Sequence, residues 1–109
     1  MGESIMERAV YPLTGSQRLV NADLASAIPL PSIPTGAQKA EVSVEGGSIR
    51  VYEGETPTTT AGGLLSNAQW DVYGPELSLV RLIRTSDQAS LVVQVSYFSI
   101  YPPGHPGRG

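Results

Sequence analysis

The chain contains no cysteine, one lysine, one histidine and one tryptophan among its 109 residues. Each scarcity removes a class of function. Without cysteine there is neither a disulfide framework nor a thiolate zinc or redox site, so core packing alone must stabilise the fold. Six arginines and Lys39 stand against ten carboxylates, for a net charge of −3, and no basic run occurs. Nucleic acid is therefore excluded as an expected partner. Uninterrupted apolar runs are only a few residues long, far below the roughly 20 needed to cross a bilayer. The opening MGESIMERAV lacks the order of a secretory signal, and position 6 is Met where a myristoylation pattern requires Ser or Thr. These features predict a soluble protein made without export.

The sole histidine, His105, lies in the Pro/Gly-rich end of the chain, where no element is expected to orient it. Nucleophile–base pairs of the Ser-His or Cys-His kind then have no members. Glu53 and Glu55, with Asp71 or Asp87, are the only carboxylates that invite an acid/base or cation-site reading. In a Gly/Pro loop, with no Asp-x-Asp pattern, they are read as solvated acids. No phosphate-cradling glycine motif is present. The residues thus predict no enzyme, no cofactor and no metal.

Abundant glycine and proline, 12 and 9 residues, call for many short segments between turns. Ala40, Val42 and Val44 alternate with Glu41, Ser43 and Glu45, the period of a half-buried strand. Gly46-Gly47 then precedes a second alternating run, Ile49 to Tyr52, and is read as a hairpin link that sets Arg50 across from Glu41 or Ser43. Glu53 to Gly63 is expected as an exposed threonine-rich loop. In Gln69 to Tyr73, Trp70 and Val72 share one face. Leu77 to Arg84 reads as an apolar strand, and in Ser90 to Phe98 the residues Leu91, Val93, Val95 and Tyr97 form the core side. Ala27 to Pro34 is extended but proline-broken, hence an edge. A single helical turn is expected near Ala22 to Ser26.

About seven or eight short antiparallel strands and no helix longer than a turn predict an all-β fold, a small β-sandwich or jelly roll. The expected organisation is an N-terminal arm at 1–16, a sandwich at 17–99 and a flexible Pro/Gly-rich tail at 100–109. Trp70 is expected in the core beside Val72, with a sugar-stacking platform of Trp70, Tyr52, Tyr73 and Tyr11 as the alternative. Candidate interface residues are Tyr11, Tyr73, Val92, Phe98 and Tyr101. Val92 and Phe98 make the second face of their strand apolar, which suits coverage by an arm, another sheet or another subunit.

The stretches Ile28 to Ala37 (IPLPSIPTGA), Ala40 to Gly46 (AEVSVEG), Ile49 to Tyr52 (IRVY), Thr56 to Leu65 (TPTTTAGGLL) and Leu91 to Phe98 (LVVQVSYF) carry a resemblance. In strand-and-turn texture the chain resembles small structural proteins of tailed bacteriophages, of the capsid decoration or cement type. That resemblance implies a non-enzymatic virion protein, assembled in the host bacterial cytoplasm. It would stabilise contacts between major capsid proteins or other virion proteins, as a dimer or trimer and without membrane. The alternative is a carbohydrate- or receptor-binding β-sandwich of a phage tail or head fibre.

Overall fold

Period-2 alternation of dry and wet side chains decides which residues of the long strands enter the core of this protein. A computed structural model describes residues 10–106. Residues 1–9 of the expected arm and 107–109 of the expected tail lie outside the described residues. The strands are β1 (Tyr11–Pro12), β2 (Gln17–Val20), β3 (Ile28–Pro29), β4 (Lys39–Glu45), β5 (Ile49–Glu53), β6 (Gly63–Leu65), β7 (Trp70–Tyr73), β8 (Val80–Arg84) and β9 (Val92–Ser99). Two 3-10 turns, Asn21–Leu24 and Leu77–Leu79, are the helical content among the described residues.

The strands form two antiparallel sheets. One has the order β2-β9-β4-β7, with β1 continuing β2 along the same strand, and the other has the order β3-β8-β5-β6. The pairs β2·β9, β3·β8, β4·β7 and β5·β6 are all antiparallel. A single long ribbon, folded at the β5–β6 end and rolled up, produces that pairing, which is the topology of a jelly roll. The all-β sandwich expected from the sequence is therefore the fold.

Facing positions close the core between the sheets. Ala40, Val42 and Val44 of β4 and Val93, Val95 and Tyr97 of β9 are almost wholly buried. Ile49, Val51, Val80 and Leu82 face them from β5 and β8, while Leu24, Leu30, Leu77 and Leu91 seal the ends. The intervening residues of β4 and β9, polar except for Val92 and Phe98, point outward.

Two expectations fail at the β4–β5 link. Gly46-Gly47 does not close a hairpin: β4 pairs with β7 and β9, whereas β5 pairs with β6 and β8 in the other sheet. The two glycines arch from one sheet to the other, because β7 and β9 occupy both edges of β4 and leave none for β5. Arg50 consequently does not face Glu41 or Ser43. It lies between Leu64 and Ile83, and its guanidinium donates to the Gly62 carbonyl at 3.1 Å. A polar clasp fixes the arch from the β8–β9 loop. Gln88 Oε1 accepts from the Ser48 amide at 2.7 Å, its Nε2 donates to the Ser48 carbonyl at 3.0 Å, and Asn21 Oδ1 accepts from the Gln88 amide at 2.9 Å.

The segment expected as an N-terminal arm joins the sheet at its described end. Tyr11 and Pro12 pair with Ser99 and Phe98, and the Leu13 amide donates to the Tyr97 carbonyl. Register against β9 shifts by two residues between Pro12 and Gln17, which loops out Thr14 and Gly15. The threonine-rich loop is also less open than expected. Pro57 is fully buried and Thr58 bridges Ala61, so the loop folds back on its own strand.

Candidate interaction surface

The outermost strands β6 and β7 lie at the same side of the sandwich, and their exposed apolar residues gather there. Trp70 is 60% exposed, Leu64 50% and Val72 44%. Leu64, Leu65, Ala68, Gln69 and Trp70 line a shallow groove of about 410 Å³ along the turn joining the two strands. This overturns the expectation that Trp70 belongs to the core. Register sets Tyr73 against Ala40 and Asp71 against Val42, both inward positions, so Trp70 and Val72 must face out. The sequence pattern misled because apolar residues occupy both phases of β7, and the inward Asp71 sits at the open margin, where its carboxylate remains exposed.

A bulge fixes that phase. The Ala68 amide donates to the Val44 carbonyl and the Val44 amide to the Gln69 carbonyl, so two residues oppose one. Ala68 holds φ +68°, a left-handed conformation normally given to glycine. Strain of this kind is retained only where the surroundings impose it, and here it sits on the groove floor beside Trp70. Ala68→Gly should relieve it and raise stability by about 0.5–1 kcal/mol, less the entropy glycine adds to the unfolded chain. The urea midpoint checks this, and a lower midpoint would refute it.

Since Val44 bonds to Gln69, antiparallel alternation turns the backbone groups of Asp71 and Tyr73 toward β4 and those of Trp70 and Val72 toward solvent. A bare edge of this composition invites another strand. Asp71 blocks it: its Oδ1 accepts from the Val72 amide at 2.8 Å, occupying an outward donor and placing a charge at the margin. Asp71→Val should therefore produce concentration-dependent association beyond that of the unaltered chain, seen by light scattering, whereas Asp71→Asn keeps the acceptor and should not. Equal behaviour of all three proteins would show that the edge is guarded by something else.

The candidate interface residues do not converge on this surface. Tyr73 turns inward and packs against the core. Burial pushes its hydroxyl pKa up to about 12, with the Asp71 and Glu53 carboxylates adding to the rise. Val92 and Phe98 are half-buried on the outer side of β9, but near opposite ends, beside Val20 and Glu45 and beside Pro12 and Lys39. Tyr11 is half-buried in β1. Tyr101 stacks on His105 with ring centroids 4.4 Å apart, so the histidine does have an orienting neighbour. Glu53, Glu55, Asp71 and Asp87 form no metal-holding group, and none of three or more His, Asp and Glu occurs among the described residues. Leu64, Ala68 and the capping role of Asp71 were missed; an aspartate between two large apolar residues in a short strand was the available signal.

Among the described residues no helix is long and apolar enough to cross a membrane. No protein-family model, curated protein or solved structure matches the chain. Its class, a jelly-roll sandwich with an apolar shoulder, accordingly rests on the pairing of its own strands.

Proposed function

We propose that this jelly roll works without catalysis, as a virion structural module of the capsid-decoration type that bridges major capsid proteins or other virion proteins. The observation that supports this reading is the exposure of Leu64, Trp70 and Val72 on two neighbouring edge strands. Apolar residues clustered and left wet on a small domain suit a surface that another protein covers. A rigid sandwich repeated over a shell gains strength from its number of copies, so each contact can be modest. Assembly as a dimer or trimer, and in the host bacterial cytoplasm, belongs to the same reading.

Sizing with light scattering, followed by co-sedimentation with empty capsids, tests it. The protein should pellet with the shells, and a Leu64→Ser, Val72→Ser double variant should remain in the supernatant. A monomer that never pellets would overturn the reading.

A second reading, a carbohydrate- or receptor-binding sandwich of a tail or head fibre, is favoured by one observation. The indole of Trp70 stands outward, as a stacking platform requires.

A further inference from the structure

We propose that the outer face of the β2-β9-β4-β7 sheet binds an uncharged, extended oligosaccharide, one ring stacked on Trp70 and the rest laid across the strands toward Arg18. The proposal rests on the carbohydrate reading and adds the ligand's charge, its direction and the residues beyond Trp70 that hold it.

Strand register places the side chains. Trp70 lies opposite Ser43, Ser43 opposite Gln94, and Gln94 opposite Arg18, a row that crosses all four strands. Beside it runs a second row, Val72, Glu41 and Ser96. These residues face out because their chain neighbours Val42, Val44, Val93, Val95 and Leu19 are buried. At roughly 4.8 Å between strands the first row spans about 14 Å, the reach of a short oligosaccharide.

The polar members of both rows are uncommitted. Among the described residues, the side chains of Arg18, Glu41, Ser43, Gln94 and Ser96 enter no hydrogen bond or ion pair. Other polar side chains are tied into the fold, as in the Gln88 clasp and the Asn21–Asp87 contact at 2.6 Å. Donors and acceptors are thus mounted on rigid strands, while an apolar ring stands at one end. A pyranose matches this, since its C–H face stacks on indole and its rim of hydroxyls both donates and accepts.

Charge selects within that class. On this face Arg18 and Lys39 are balanced by Glu41 and Glu45, so no net field favours an anion, and acidic polymers gain nothing from it. A protein partner is a poorer fit to the middle of the face, where polar groups stand in place of the apolar centre that protein interfaces need.

The single tryptophan provides the readout. The full chain would be titrated with a soluble glucan, mannan and galactan, and with sialylated and sulfated polymers as charged probes, while Trp70 fluorescence and migration in polysaccharide-loaded gels are followed. At least one neutral polymer should shift the Trp70 emission and retard the protein. Trp70→Ala should weaken retardation on the order of tenfold or more, and Gln94→Ala and Ser43→Ala about three- to tenfold each. Leu79→Ser, exposed but outside both rows and outside the Trp70 groove, should leave it unchanged, and matching thermal melts would show that the variants are folded. Binding confined to the charged polymers would overturn the proposal. Loss with Trp70→Ala but not with Gln94→Ala and Ser43→Ala would place the sugar in the edge groove, refuting the row while keeping the carbohydrate reading. No retardation by any polymer would refute both.

Discussion

Gly46→Ala should destabilise the domain by about 3 kcal/mol or more, a large share of the stability of a protein of this size. Gly46 has φ +75°, and a Cβ there would lie 2.0 Å from the carbonyl oxygen of Ser90. The obstacle is backbone, held by the start of β9, so no side-chain rotation relieves it. Gly54 supplies the comparison. It has φ +96° but nothing within 4 Å of a built Cβ, so Gly54→Ala should cost only the conformational strain, about 1 kcal/mol. Urea unfolding of both variants separates collision from strain. Similar midpoints for the two would refute the proposed contact between the arch and Ser90.

Tyr97→Ala should be nearly as damaging, by about 3–5 kcal/mol, because it empties the largest fully buried side chain from the centre of β9. Tyr97→Phe isolates the hydroxyl, which donates to the Pro31 carbonyl and so ties the proline-rich segment after β3 to the opposite sheet. Losing that bond should cost about 1–2 kcal/mol. Burial also pushes the Tyr97 hydroxyl pKa up to about 12, as it does that of Tyr73. An unfolded chain releases such a proton near 10, so the folded state holds it more tightly. The resulting stability is present in full below pH 10 and is lost as pH rises through 12. Urea midpoints should fall between pH 10 and pH 12, and fall less steeply in Tyr97→Phe. In a titration of phenolate absorbance, Tyr97→Phe and Tyr73→Phe should each remove a step near pH 12.

The same residues explain why the surface carries the functional readings. Gly46, Gln88 and Tyr97 bind the two sheets into a rigid body, and rigidity lets strand register hold the outer side chains of β4 and β9 in rows. Trp70, exposed beside a strained Ala68 and above a self-capped edge, is where that frame meets solvent. The assembly reading and the sugar reading share Trp70 but part at Gln94, so the variants above tell them apart.

How much of this was legible in the sequence follows from how locally each feature is determined. The dry faces of β4 and β9 could be read because alternation is a property of a strand by itself: Ala40, Val42 and Val44, or Val93, Val95 and Tyr97, have one sensible side to bury. The proline-broken edge at β3 could be read because a missing amide forbids a central place wherever the strand goes. Partner choice could not. Gly46-Gly47 permits a sharp reversal within one sheet or an arch between two, and the choice fell to β9 and β7, distant segments that claim both edges of β4. Nor could the phase of β7, where Trp70 and Val72 compete with Tyr73 for the inside and the Ala68 bulge settles it. Backbone and side-chain chemistry alone determined where strands β4 and β9 lie and which of their faces is dry. Only the tertiary structure decided which strands meet and which aromatic ring faces water, because pairing and register are set by residues far apart in the chain.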